Sequence, residues 1–111
     1  MKPFLYAFKG IATLFRTQRN ARVHLMFLAL TVVCGFLFKI SPGEWCAILI
    51  SAGVVLAAEA LNTAVEFLAD AVHPDEHPKV GAAKDVAAAG VLFAAIAAVA
   101  VGLIVFVPKI L

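Results

Sequence analysis

The chain has 111 residues, 64% hydrophobic and 14% charged, with a formal net charge of +2. That composition leaves too little polar surface for a soluble fold of this length and provides for one domain only. Continuous apolar runs without period-two alternation exclude a closed β-barrel, which leaves an all-α membrane protein whose helices satisfy their own backbone groups.

In chain order, residues 1–20 come first. Phe4, Phe8, Ile11 and Phe15 recur at spacings of four, three and four, which places them on one face of an amphipathic helix. Lys2, Lys9, Arg16, Arg19 and Arg22 precede any acid, a pattern suited to a helix lying on an anionic membrane surface. Charges interrupt the apolar positions and no small-residue cleavage pattern follows, so a signal peptide is not expected. The first span is predicted over residues 23–39, extended by snorkelling of Arg22 and Lys39. Lys39 to Glu44 reads as a tight turn, with Ser41, Pro42 and Gly43 as its turn residues, and Trp45 as an aromatic anchor at the membrane boundary.

A second helix is predicted over residues 45–72, with Pro74 forbidding its continuation. At about 1.5 Å per residue it spans about 42 Å, more than a hydrocarbon core of about 30 Å, so its last turns should project beyond the apolar layer. Residues 73–81 then read as a polar loop punctuated by Pro74, Pro78 and Gly81. A third helix is predicted over residues 82–107, stopping before Pro108. Its alanines and glycines favour close packing against other membrane helices. By the positive-inside rule the N-terminus and the 73–81 loop face the cytosol and the C-terminus faces outward.

Six of the seven acids lie between Glu59 and Asp85. Glu59, Asn62, Glu66 and Asp70, spaced by three, four and four, share one stripe of the second helix. Carboxylates near the end of an apolar helix are costly to bury, so such a stripe marks a functional site. Lys84 and Asp85 answer it from the next helix. Neither a G-x-x-x-x-G-K-[ST] loop nor a G-x-G-x-x-G loop is present, so soluble NTPase and protein-kinase cradles are excluded. Phosphoryl transfer still needs a metal on the phosphate oxygens, a cation on the moving group and a base for the acceptor hydroxyl. Glu66, Lys84 and Glu59 can fill those roles in that order, with Asn62 and Asp70 completing the set and Arg16, Arg19 or Arg22 reaching for phosphates.

Cys34 and Cys46 lack a metal or redox spacing, and His73 with His77 lacks a third donor for zinc. A rival class is a small proton- or cation-coupled transport subunit, whose acid should lie near mid-bilayer. Glu66 and Asp70 instead fall at the loop end of their helix. No nucleic acid is expected as a partner.

Glu59-Ala-Leu-Asn62-Thr-Ala-Val-Glu66, then Asp70, then Ala83-Lys84-Asp85, resemble the signature of the small prokaryotic diacylglycerol kinase and undecaprenol kinase family. The likeness covers nearly the whole chain, including Tyr6-Ala-Phe-Lys9-Gly10 and the Arg19 to His24 approach to the first span. It implies a homotrimer of three-span subunits in the bacterial inner membrane, with shared cytoplasmic active sites that transfer the γ-phosphoryl group of ATP to a lipid alcohol. By the same resemblance Glu59 is the catalytic base, and Asn62 is its partner and one of the cofactor-binding residues. Lys84 and Asp85, with Tyr6, Lys9 and Arg19, belong to the nucleotide site, and Glu66 and Gln18 to the Mg2+ site. Gln18 departs from the pattern, since many relatives carry a glutamate there; the amide keeps an oxygen ligand and loses the charge. The wording of the motifs is closer to the undecaprenol branch than to the diacylglycerol branch.

Overall fold

A computed structural model describes residues 2–73 and 75–111. Four helices follow one another: α1 (Lys2–Thr17), α2 (Arg19–Leu37), α3 (Pro42–Val72) and α4 (Pro78–Ile110). The last three are long and apolar enough to cross a bilayer. α3 packs along both α2 and α4, and α1 folds back onto α2.

The amphipathic α1 buries Leu14 alone. Phe4, Phe8 and Ile11 stay exposed, so the chain itself leaves that apolar face uncovered. Gln18, in extended backbone, separates α1 from α2. Arg22 fixes this corner: its Nη1 donates to the carbonyls of Phe15 at 2.8 Å and Arg16 at 3.1 Å. A guanidinium there satisfies carbonyls that the end of α1 would leave unpaired and complements its dipole. Arg22 is therefore engaged in capping, and α2 begins at Arg19, four residues before the expected span.

The α2–α3 connection is shorter than the expected turn. Lys39 adopts a left-handed backbone, φ 54°, and Ile40 tucks inward. Ser41 is the N-cap of α3, within a capping box: its Oγ accepts from Glu44 N at 3.2 Å, and Glu44 Oε1 accepts from Ser41 N at 2.9 Å. Pro42 takes the first helical position, where its missing N–H costs nothing. Residues 42 and 43, expected in a turn, thus open the helix. Trp45, half-buried, packs against Phe36 and beside the buried cluster of Ile40, Ile48 and Val105.

α3 has 31 residues, about 46 Å at about 1.5 Å each. It ends at Val72; the expectation that Pro74 stops it falls outside the described residues. α4 starts at Pro78, four residues before the predicted start, with His77 as N-cap accepting from Lys79 N at 3.2 Å. The polar link therefore shortens to residues 73–77. α4 also continues through Pro108 to Ile110, because a proline in the final turn removes a single intrahelical bond. Lys109 Nζ donates to Glu44 Oε2 at 2.6 Å, tying the end of α4 to the start of α3.

Candidate active site

The acidic stripe of α3 is one row on the helix, and three different partners divide it. Glu59 sits deepest, at 3% exposure, and Oε1 lies 3.3 Å from Nε2 of His24 on α2. One turn on, Asn62 Nδ2 donates to Glu66 Oε1 at 3.2 Å. At the end, Asp70 Oδ1 accepts from Lys84 Nζ of α4 at 2.6 Å. The three levels run from a buried carboxylate to a half-buried amide–carboxylate pair to an exposed ion pair. They climb about 16 Å of helix axis at about 1.5 Å per residue.

Burial rises inward along the stripe, and Glu59 meets α2 at His24. A lone carboxylate in such surroundings would be strongly unfavourable, and the imidazole across the gap offsets that cost. Lys84 and Asp70 are both open to solvent, so their pairing contributes little to stability. Lys84 is therefore free to exchange Asp70 for another anion at small cost.

Two buried oxygens on α3 lack a hydrogen-bond partner among the described residues, Asn62 Oδ1 and Thr63 Oγ1. Buried polar atoms are normally satisfied, so unpartnered ones beside carboxylates point to a guest. Thr63 stands one turn from Glu59 on the same face. Sequence reasoning used it only as part of a motif; its apolar-helix setting was the available signal.

Of the other expected site residues, Lys84 alone makes a hydrogen bond or ion pair with the stripe among the described residues. Asp85 is exposed, and Lys84 pairs with Asp70 across the helices. Gln18 Nε2 donates to Thr17 Oγ1 at 3.2 Å, at the corner between α1 and α2. Tyr6, Lys9 and Arg19 are exposed. Sequence reasoning also gave His24 no role in the site, although a histidine inside an apolar span is a signal of the same kind as Glu59.

Next to Glu59, an open cleft of about 330 Å³ runs between α2, α3 and α4. Phe27, Val55 and Val99 are among its walls, and His24 is one of its polar residues. Its two hydroxyls turn back to their own helices: Thr31 Oγ1 donates to Phe27 O at 2.7 Å and Ser51 Oγ to Ile48 O at 3.0 Å.

Three membrane-length helices with ionisable groups concentrated toward one end, beside an apolar cleft, define a polytopic α-helical membrane protein built for chemistry at the edge of the lipid. Residues 5–106 match the prokaryotic diacylglycerol kinase family, and the chain belongs to it. It is 38% identical over 109 residues to the undecaprenol kinase of Bacillus subtilis, covering 98% of this chain and 89% of that one. It is also 36% identical over 109 residues to a diacylglycerol kinase of Synechocystis, covering 97% of this chain and 62% of that longer protein. The chain is accordingly a membrane lipid kinase that uses ATP, and the transport reading is not favoured.

Proposed function

We propose that the protein transfers the γ-phosphoryl group of ATP to the terminal hydroxyl of a polyprenol, undecaprenol in preference to diacylglycerol. The observation that carries this reading is a buried carboxylate, Glu59, beside an apolar cleft whose hydroxyls are already engaged. An ester carbonyl placed in that cleft would lose its water without gaining a free donor from Thr31 or Ser51. A polyprenol brings no such carbonyl, only a chain and one hydroxyl. The likeness to an undecaprenol kinase over nearly all of both chains supports the same preference.

In this reaction Glu59 takes the proton of the acceptor hydroxyl as its oxygen attacks the γ-phosphorus, and ADP leaves with the bridging oxygen. Lys84 exchanges Asp70 for the phosphates, and Asp85, Tyr6, Lys9 and Arg19 bind the rest of the nucleotide. Asn62 orients Glu66. Mg2+ would neutralise charge on the phosphate oxygens, held by Glu66 with Gln18. The oxygen set fits that ion: Glu66 offers a carboxylate, and Asn62 Oδ1 is buried without a partner among the described residues. Magnesium is commonly bound by one or two protein oxygens, with waters and substrate phosphates supplying the others.

Because no cation of residues 2–22 forms an ion pair with the stripe among the described residues, the proposed site is composite, assembled in a homotrimer with the N-terminus and the α3–α4 link in the cytosol of a bacterial inner membrane. Purified protein given labelled ATP with undecaprenol and diacylglycerol side by side tests the reading. Chromatography should show labelled undecaprenyl phosphate as the main product. Preferential labelling of diacylglycerol would reverse the substrate preference, and no lipid product would refute the activity.

A further inference from the structure

The contact between His24 and Glu59 joins two places that otherwise have separate roles. On one side is the carboxylate read as the base; on the other is the cleft read as the seat of the lipid chain, which His24 also lines. Within α3, the neighbours of Glu59 one turn away are Val55 and Leu56, whose side chains have no polar atom, Asn62, whose Nδ2 donates to Glu66, and Thr63, whose hydroxyl has no partner among the described residues. The Glu59 side chain is 4% exposed and that of His24 27%. The imidazole is thus the group that faces both the carboxylate and the open cleft.

We propose that His24 is the positioning residue for Glu59. From α2 its Nε2 stands 3.3 Å from Oε1 and restrains that oxygen, which leaves Oε2 for the acceptor hydroxyl at the polar end of the cleft. A carboxylate free to rotate would present either oxygen in many directions; one pinned across a helix interface presents a single lone-pair direction. Misplacement of a reacting group by about 1 Å can cost about a hundredfold in rate. None of the residues assigned to the nucleotide takes part in this contact. The inference rests on the reading of Glu59 as general base.

The test compares wild-type protein with His24→Ala and His24→Gln, using undecaprenol and ATP, and measures kcat and the KM for each substrate. His24→Ala is expected to lower kcat by about tenfold to a hundredfold, with KM for ATP unchanged. His24→Gln, whose amide N–H reaches toward Oε1, should recover part of the loss. A second arm combines His24→Ala with Glu59→Asp, which keeps a carboxylate but withdraws it by one methylene. If His24 acts through Glu59, the two losses should not multiply.

Wild-type kcat in His24→Ala would overturn the proposal, as would multiplying losses. So would a fall in thermal stability with kcat per folded enzyme unchanged, which is the mark of a purely structural histidine. If the alanine variant fails to assemble, His24→Gln and His24→Asn decide. Activity that follows the reach of the amide supports positioning, and equal activity in the two overturns it. Failure of the underlying reading is separable: a Glu59→Gln enzyme that still turns over refutes the base assignment whatever His24 does.

Discussion

Gly35 on α2 and Trp45 on α3 meet without room for another carbon atom. A Cβ built at Gly35 would lie 2.6 Å from Cη2 and 2.8 Å from Cζ2 of the indole. Contacts that short do not occur between real side chains, and the indole is wedged beside Phe36 and the Ile40, Ile48 and Val105 cluster. Gly35 is therefore required for close approach, which lets a large aromatic seal the far end of the bundle.

Gly35→Ala should lower stability by about 1–3 kcal/mol, the usual cost of overpacking, with little change in the Michaelis constants of the folded fraction. Thermal unfolding in detergent, followed by the near-ultraviolet signal of Trp45, measures it. An unchanged midpoint would mean that the indole moves aside easily.

Glu59→Gln keeps the shape of the side chain and removes the base. Turnover should fall by about a hundredfold or more, the usual worth of general-base catalysis, while nucleotide binding is retained. Retention of more than about a tenth of the wild-type rate would remove Glu59 from that role.

A composite site predicts complementation. Glu59→Gln subunits mixed with Lys84→Ala subunits should regain activity if the two residues serve a site from different chains. No recovery in demonstrably mixed oligomers would place Glu59 and Lys84 of the same chain in one site. Their position on adjacent packed helices makes that outcome a real alternative, and the experiment discriminates cleanly.

In the proposed magnesium site Gln18 would supply an amide oxygen where a carboxylate would bind a hard cation more tightly. Gln18→Glu should lower the magnesium concentration that gives half-maximal activity at fixed ATP. Superimposable titrations, with assembly confirmed, would confine Gln18 to the corner where it now bonds Thr17, and leave Glu66 as the magnesium ligand.

The helical class, the amphipathic first helix, the three membrane-length helices and the stripe from Glu59 to Asp70 were legible along the chain. Each of these depends on periodicity along one helix, or on the length of an apolar run, and both are local properties. Helix starts were less legible. Pro42 and Pro78 read as turn residues, whereas each occupies a first helical position behind a capping side chain, Ser41 or His77. Proline breaks a helix interior but suits its first turn, and only the cap distinguishes the two.

What tertiary structure decided was the pairing across helices. Nothing in the spacing along α3 says that Glu59 turns to His24 on α2 while Asp70 turns to Lys84 on α4. Nor does it say that Arg22 caps α1, or that the Trp45 indole lies against Gly35. Those contacts depend on how each helix is rotated about its axis and slid along its neighbour, and that registry is set by the packing of all the faces together.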